Sequence, residues 1–497
     1  MDSDSQSSHH IVFFPFMAKG HTIPLLHLLR LLRRRFPHLY LTIFTTAAYR
    51  PFISQFLSDS GTDSISIVDL SFPQNVPGLP AGVESTDTLP SLSLHTEFCA
   101  ATELMQPEFE ERLRSLPVPV TFLISDMFFW WTLESASKLG ILRINFSGMS
   151  NYSAAVTSSV VKNRVLAGAQ SVDELVTVTD FPWVKITRGD FDPVFWPEAY
   201  LTSGHFQFQF IMKSVHAATN SYGFIVNSFY ELEPMFFDYM RNSKKTWNIG
   251  PLCLDQFCSN SVRNRESTQK LQMQGWWEWL EGKLKQGEGV LYVAFGSQSE
   301  ISCKQMKEIE IGLEESGVNF LWAKREEINE MEDKGFEERV KGRGIIVREW
   351  VNQWEVLKHE AVKGFLSHCG WNSVVESLSC GVPILTYPLM AEQSLNARMV
   401  VDELTAGMRA VEGTSSMKGA VKGKDLKRFV RELMEGEKGK EVRKKAMEIS
   451  EMAKKAMAEN GSSWKNLELL VMEMCNKSPL LPHTDLPSFK GHGANYA

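Results

Sequence analysis

Short apolar runs alternate with amphipathic stretches along the first half of the chain. Residues 11–16 (IVFFPF) predict a buried strand, and the leucines that share one face of residues 22–34 predict a helix after it. Residues 39–46 (LYLTIFTT) predict the next strand. A strand, a helix and a strand in this order predict a β-α-β unit and hence a parallel sheet. The same pattern continues with a strand at 121–125, a helix up to Lys138 and a strand at 224–229.

The pattern changes near residue 250. Residues 250–270 are polar with little periodicity and predict an interdomain linker. A second series of strands is predicted after it, at 290–297, 344–349, 362–368 and 382–388. The chain is therefore expected to be an α/β protein of two doubly wound domains, with the ligand site in the cleft between them. The expected boundaries are 1–249 for the first domain, 271–476 for the second and 477–497 for an irregular tail.

Composition and charge exclude several classes of function. Of 497 residues, 43% are hydrophobic and 22% charged, as in a soluble globular protein. The Lys, Arg, Glu and Met residues at helical spacing over residues 421–457 predict a solvated amphipathic helix. The net charge of −7 disfavours a nucleic-acid partner, which needs a basic surface. No apolar run reaches the roughly 18 residues of a membrane span, and MDSDSQSSHH is unlike a secretory signal, so a cytoplasmic protein is expected. The seven scattered cysteines are expected to be reduced thiols.

A strand-to-helix transition is predicted within the string SHCGWNS. Gly370 is expected to make a tight turn, and the helix that follows would offer free backbone N–H groups and a positive dipole end, which suit a diphosphate. His368, Asn372 and Ser373 can add side-chain donors. The alternative is purely structural, because Ser373 and Glu376 also fit the S-x-x-E capping box.

Other polar and aromatic residues are expected in the same cleft. Trp350 and Gln353 follow the predicted strand at 344–349, and they supply a flat indole for base stacking and an amide that donates and accepts. Glu392 and Gln393 follow the strand at 382–388 and offer the carboxylate and amide that sugar hydroxyls need. Taken singly, Trp350 could be a core aromatic and Glu392 a helix cap.

In the first domain, His21 and Asp126 each follow a predicted strand, at the end where α/β sheets bind ligands. A neutral imidazole can take a proton from a hydroxyl at physiological pH. A carboxylate bonded to its Nδ1 fixes the tautomer and stabilises the imidazolium. Alone, His21 could be a surface or capping residue, and Asp126 a helix cap.

Residues 350–393 resemble the signature box of the plant family 1 UDP-dependent glycosyltransferases. They have the length of the box and match it at Trp350, Gln353, His359, Gly364, His368, Cys369, Gly370, Trp371, Asn372, Ser373, Glu376, Gly381, Pro383, Pro388, Glu392 and Gln393. The rest of the chain agrees in order and spacing, so the resemblance covers nearly all of it. It implies the GT-B fold, in which an N-terminal acceptor-binding and a C-terminal UDP-sugar-binding Rossmann-like domain face each other across a cleft. The last helix of the second domain is then expected to pack back on the first.

The resemblance also implies roles for individual residues. In the family, the counterpart of Trp350 stacks on uracil, that of Gln353 lies beside the nucleoside, and that of Glu376 binds the ribose hydroxyls. The diphosphate is held by the counterparts of His368, Asn372 and Ser373, with Ser297 closing over it. The sugar is contacted by those of Trp371, Glu392 and Gln393. His21 and Asp126 match the catalytic dyad.

The reaction implied is an inverting hexosyl transfer, most simply from UDP-glucose, because Gln at the last box position is usual for glucose. The expected product is a β-glycoside, formed without a metal or cofactor and with the UDP-sugar as co-substrate. Flavonoids, other phenolics or terpenoids are the expected acceptors, and a monomer is expected. The candidate residues for the acceptor pocket are Phe16, Met17, Phe128, Trp130, Phe195 and Trp196.

Two other classes of function compete with this interpretation. A nucleotide-sugar or small-molecule binder without turnover would keep residues 350–393 and lose the dyad, whereas this chain has both. A Rossmann oxidoreductase needs G-x-G-x-x-G after the first strand, and FPFMAKGH does not supply it. The chain departs from the family pattern at Asn352 and Tyr387, where Pro and Trp are common, and at Ser147–Gly148, where a Thr near the sugar 6-hydroxyl is common.

Overall fold

The computed structural model describes residues 9–58, 65–202, 206–255, 267–298, 300–324 and 335–476. The predicted tail at 477–497 and residues 256–266 of the predicted linker lie outside the described residues. Residues 267–270, which were also predicted as linker, are helical, because they belong to a helix that runs from Ser267 to Lys285.

The first domain is built on a parallel sheet. Its strands are β1 (His10–Phe14), β2 (Tyr40–Thr46), β3 (Ser66–Leu70), β4 (Phe122–Asp126), β5 (Leu142–Ser147), β6 (Val176–Val178), β7 (Phe181–Ile186), β8 (Gly223–Val226) and β9 (Thr246–Asn248). Seven of them pair in the order β3-β2-β1-β4-β5-β8-β9, and β6 with β7 forms a separate antiparallel pair. At the centre, Phe13 of β1 lies opposite Ile43 and Ile124, and all three side chains are fully buried. Burial on both faces of the sheet explains why these strands are continuously apolar.

Helices cover this sheet and fill the connections between its strands. They are α1 (Lys19–Arg35), α2 (Arg50–Ser58), α3 (His95–Ala101), α4 (Gln106–Ser115), α5 (Thr132–Lys138), α6 (Asn151–Lys162), α7 (Phe206–Asn220) and α8 (Pro234–Ser243). The first helix starts three residues before the predicted Thr22, so that His21 lies inside its first turn rather than in the preceding loop.

The second domain repeats the arrangement with a smaller parallel sheet. Its strands are β10 (Val290–Ala294), β11 (Asn319–Ala323), β12 (Gly344–Val347), β13 (Val362–Ser367), β14 (Ile384–Thr386) and β15 (Gly407–Arg409), paired in the order β12-β11-β10-β13-β14-β15. Its helices are α9 (Ser267–Lys285), α10 (Cys303–Ser316), α11 (Phe336–Arg339), α12 (Gln353–Lys358), α13 (Trp371–Ser379), α14 (Gln393–Arg398), α15 (Gly423–Glu435), α16 (Glu437–Met457) and α17 (Ser462–Cys475). The single helix predicted over 421–457 is in fact the pair α15 and α16, which separate at the extended residue Gly436.

Two buried clusters join the domains. Leu467, Leu470 and Met474 of α17 belong to the hydrophobic core of the first sheet, so the last helix packs on the first domain. A second cluster combines Tyr152 of α6 with Trp371 of α13. Among the described helices, none has both the length and the apolarity needed to cross a membrane.

Candidate functional site

The predicted dyad lies where the strand order of the first sheet reverses direction. The chain leaves β1 towards β2 on one side and β4 towards β5 on the other, which opens a crevice at the carboxyl ends of β1 and β4. Asp126 is the last residue of β4, and His21 stands in the first turn of α1. The imidazole Nδ1 donates to Asp126 Oδ2 over 2.7 Å. The sheet topology therefore brings together two residues that are far apart in sequence.

The surroundings of Asp126 hold its carboxylate in one orientation. The carboxylate is fully buried, and its second oxygen, Oδ1, accepts the backbone N–H of Phe128 over 2.9 Å. Burial lowers the pKa of His21, but the charge of Asp126 and its hydrogen bond outweigh burial, with further help from the charges of Glu392 and Asp87, so the pKa is raised. Since Nδ1 is engaged by Asp126, Nε2 is the nitrogen that can receive a proton from a bound hydroxyl.

Aromatic rings enclose the dyad. The ring centroids of Phe16 and Phe128 lie 5.6 Å and 5.2 Å from that of His21. The same two rings also contact His95, at 6.1 Å and 5.6 Å. Burial, followed by the charge of His21, lowers the pKa of His95 to about 4, so this second imidazole is neutral at physiological pH. The space beside His21 is thus lined by flat apolar rings and one uncharged polar ring.

The other acceptor-pocket candidates divide between the two buried clusters. Met17 is buried and Trp130 half-buried in the cluster that contains Phe16 and the first sheet. Phe195 and Trp196 pack instead on the second cluster, which contains Trp371. The Trp196 indole donates to the Arg188 carbonyl over 3.1 Å. A role for these four residues in acceptor binding stays a prediction.

In the second domain, the amide of Gln353 connects two predicted donor-binding residues. Its Nε2 donates to Ser373 Oγ over 2.9 Å and to Glu376 Oε2 over 2.8 Å. Burial raises the pKa of Glu376 to about 7, against the opposing effect of the Gln353 hydrogen bond. The capping-box alternative is wrong, because Gly370 is the N-cap of α13 and Ser373 already lies inside the helix. The N-cap is a glycine without a side-chain acceptor, so the first backbone N–H groups of α13 remain available to an anion.

The turn before α13 is made differently from the prediction. The residue with left-handed backbone is Cys369, at φ +63°, whereas Gly370 has φ −57°. Glycine is needed at 370 for space, because a Cβ there would lie 2.5 Å from His368 Nε2. A Cβ at Gly296, after β10, would lie 2.7 Å from the same nitrogen. His368 is therefore held between two glycines, and burial lowers its pKa to about 4, which keeps it neutral.

The three predicted sugar contacts have different environments. Trp371 is 2% exposed and its indole donates to the Asn227 carbonyl over 3.0 Å, so its side chain is used in packing between the domains. The side-chain oxygen of Gln393 accepts the N–H groups of Leu389 and Met390. The charge of Glu392 contributes to the raised pKa of His21, and burial raises the pKa of Glu392 itself.

Several contacts cross the cleft beside these residues. The Asn372 side-chain amide donates to the Gly20 carbonyl, one residue before His21. The ammonium of Lys19 lies 5.7 Å from the ring centroid of Trp350, a residue that is 61% exposed. Ser297 is half-buried in the loop after β10. The predicted donor-binding residues and the predicted dyad thus face each other across the domain boundary.

Comparison with known proteins establishes the family. A family model described as "UDP-glucoronosyl and UDP-glucosyl transferase" matches residues 259–459. UDP-glycosyltransferase 90A1 of Arabidopsis thaliana is 49% identical to this chain, with 95% of this chain and 98% of that protein covered. The chain belongs to the plant UDP-glycosyltransferase family.

Solved structures of UDP-glycosyltransferases confirm the predicted GT-B fold. Glycyrrhiza uralensis UGT73P12, complexed with glycyrrhetinic acid 3-O-monoglucuronide, matches with a TM-score of 0.80 at 29% identity, over 94% of this chain and 96% of that one. Phytolacca americana UGT2, complexed with UDP-2fluoro-glucose and pterostilbene, matches with a TM-score of 0.75 at 27% identity, over 94% and 100%.

Several residues near the site of this UDP-glycosyltransferase were not predicted from its sequence. His95 gave no periodic or spacing signal, and its position depends on the packing of α3 against Phe16 and Phe128. Lys19 could have been suspected, since it follows β1 two residues before His21. Gln298 donates to Thr86 across the cleft, a contact that no local pattern predicts.

Proposed function

We propose that this UDP-glycosyltransferase transfers glucose from UDP-glucose to a hydroxyl of a small apolar acceptor, with inversion to a β-glycoside. The observation that carries the proposal is the 2.7 Å bond between His21 Nδ1 and the buried Asp126, across the cleft from the start of α13. That arrangement supplies a base for the acceptor and an anion site for the departing UDP.

In the proposed reaction, the acceptor hydroxyl gives its proton to His21 Nε2 while its oxygen attacks the anomeric carbon of the α-linked sugar. The bond between that carbon and the β-phosphate oxygen breaks, and UDP leaves with the electron pair. The negative charge that develops on UDP is stabilised by the first N–H groups of α13, with His368 and Ser373 beside them. Asp126 stabilises the imidazolium that forms.

Glucose and an aromatic or terpenoid acceptor are supported by separate observations. Gln393, at the last position of the box, and Glu392 are the expected partners of the sugar hydroxyls. The related Phytolacca americana structure is complexed with UDP-2fluoro-glucose and pterostilbene. Phe16 and Phe128 beside His21 offer flat faces to an acceptor of that kind.

The proposed reaction uses no divalent ion, so EDTA should leave the initial rate unchanged. A rate that EDTA abolishes and only added Mg²⁺ restores would contradict this part of the proposal.

The test is to incubate the purified chain with UDP-glucose and a panel of flavonoids, simpler phenols and terpenoid alcohols. We expect a mass gain of one hexose on at least one acceptor, a β-anomeric proton in the NMR spectrum of the product, and no product with His21→Ala. Parallel reactions with UDP-galactose and UDP-rhamnose test the sugar. Calorimetric binding of UDP-glucose without product on any acceptor would favour the alternative, a binder without turnover.

A further inference from the structure

Asn396 lies outside the signature box, three residues beyond Gln393, yet its side chain is fully buried beside the donor-binding residues. Its Nδ2 donates to the backbone carbonyl of Cys369 over 3.0 Å and lies 3.4 Å from Glu392 Oε1. Its Oδ1 accepts the hydroxyl of Ser150 over 3.0 Å. One amide therefore contacts the turn before α13, the predicted sugar carboxylate and the first domain.

The contact with Cys369 acts on a strained turn. Cys369 is a non-glycine residue at φ +63°, a strained conformation that persists only where neighbouring groups enforce it. Its N–H donates to Ser367 Oγ over 3.1 Å, and its carbonyl is the acceptor for Asn396. Both ends of the residue are thus fixed. His368 and Gly370, the predicted phosphate-binding residue and the N-cap of α13, lie on either side of it.

The contact with Ser150 crosses the domain boundary. Ser150 is fully buried and caps α6, since its Oγ accepts the N–H of Ser153 over 2.9 Å. It stands two residues after Gly148, where a Cβ would lie 3.8 Å from Cε1 of His21. The Ser150 hydroxyl therefore connects the loop beside the base to the helix that begins at Gln393.

We propose that Asn396 is a positioning residue for glycosyl transfer. Its contacts fix the position of the phosphate-binding turn relative to Glu392. Through Ser150 they also fix the position of both groups relative to His21. The inference rests on the proposed function, because it takes the sugar to lie between Glu392 and the dyad. Asn396 itself touches neither the sugar nor the reacting atoms in this proposal.

The hydrogen-bond donors and acceptors around the Asn396 amide determine how strongly each substitution should reduce activity. Nδ2 faces two oxygens, so Asn396→Asp would bring a carboxylate oxygen against a carbonyl and a carboxylate. Asn396→Ala only removes the contacts. We therefore expect Asp to be the more damaging change although it is closer in shape. Ser150→Ala removes the contact between the domains together with the side-chain cap of α6, and Ser150→Thr retains a hydroxyl for both.

The experiment compares these four variants with Asn319→Ala as the control. Asn319 donates to Glu288 at the amino end of β11, at the opposite end of the sheet from the cleft. Initial rates over a range of UDP-glucose and acceptor concentrations would be measured with UDP binding by calorimetry and unfolding temperatures. We expect kcat/KM for UDP-glucose to fall about tenfold to a hundredfold in Asn396→Ala and further in Asn396→Asp, with the KM of the acceptor unchanged. The control should keep wild-type kinetics.

Ser150→Ala keeps the proposal testable if the Asn396 variants do not fold. It should lower kcat several-fold with UDP affinity unchanged, and Ser150→Thr should restore the rate. The proposal is overturned if Asn396→Asp is as active as Asn396→Ala, or if either variant loses thermal stability while the folded enzyme keeps wild-type kinetics. If the wild-type chain binds UDP but transfers no sugar, the proposed function fails instead. UDP affinity in the order wild type, Ala, Asp would then still support the positioning of the phosphate turn.

Discussion

Replacing Asp126 by Asn tests whether the dyad works through the tautomer of His21. Oδ1 of Asp126 accepts the N–H of Phe128, and Oδ2 accepts Nδ1–H of His21. An Asn side chain must keep its oxygen on the Phe128 N–H, so its NH₂ group would face the imidazole. Nδ1 then becomes an acceptor and the ring proton moves to Nε2, where it blocks the base.

The expected size of the effect follows from the geometry. A charge-assisted hydrogen bond at 2.7 Å to a fully buried carboxylate contributes about 1.5–3 kcal/mol, which is roughly tenfold to 150-fold in rate. The wrong tautomer adds to this loss, and the corresponding change in a hydrolase triad costs roughly 10⁴-fold. We therefore expect kcat to fall about 10³-fold to 10⁴-fold in Asp126→Asn. Asp126→Ala should be no worse, since it leaves the tautomer free.

The pH profile gives an independent check. The base must be neutral, and the pKa of His21 is raised above its ordinary 6.5, so wild-type kcat/KM should rise with pH through a midpoint above that value. In Asp126→Ala the main influence that raises the pKa of His21 is lost while burial still lowers it, so the midpoint should move to lower pH as the plateau falls. UDP affinity should be unchanged in both variants.

The control is Asp69→Asn, a carboxylate of the same domain that forms a half-exposed ion pair with Arg50. It should keep wild-type rates. The reasoning is refuted if Asp126→Asn, folded and binding UDP normally, retains more than about a tenth of the wild-type kcat. The rate would then have fallen by less than the roughly tenfold that is the smallest effect expected from losing one charge-assisted hydrogen bond.

Three further predictions concern the donor side. Trp350→Ala should weaken UDP binding by about 1–3 kcal/mol in calorimetry while Trp350→Phe retains most of it, and equal affinities would exclude base stacking there. Gly370→Ala would place a Cβ 2.5 Å from His368 Nε2, so UDP binding should fall at least tenfold with an intact circular dichroism spectrum, and wild-type affinity would contradict the crowding. Burial raises the pKa of Glu376 to about 7, and the ribose hydroxyls predicted to bind it would favour its ionised form. UDP binding near that pH should therefore release protons in calorimetry with different buffers, and Glu376→Gln should abolish the release.

The parts of this molecule that were predictable from sequence are those set by local pattern. A strand, a turn and a helix around FPFMAKGH are enough to place His21 at the carboxyl end of β1, and the same argument places Asp126 after β4. Details that depend on space were not predictable in this way. The string SHCGWNS does not tell which residue takes the left-handed conformation, and the structure shows Cys369 in it and Gly370 kept small by His368.

Contacts between the domains were the least predictable, because no local pattern carries the orientation of one domain on the other. Lys19 on Trp350, Gly20 on Asn372 and Ser150 on Asn396 all depend on that orientation. The same limit affected the aromatic residues, since Phe16 and Phe195 look alike in sequence but lie in different buried clusters.

The placement of these contacts bears on how the reaction is controlled. Gly20 precedes the proposed base, His21, and Ser150 follows the loop beside it. Their partners Asn372 and Asn396 flank the expected positions of the phosphates and the sugar. A base on one domain can act on a sugar held by the other only when the two are in register to within about an ångström, because misplacement of that size can cost a hundredfold in rate. Each hydrogen bond across the boundary contributes only about 0.5–1.5 kcal/mol, so the register is held by several weak contacts together. Loss of one of them should therefore reduce kcat more than the affinity for UDP, because the residues predicted to bind UDP lie in the second domain.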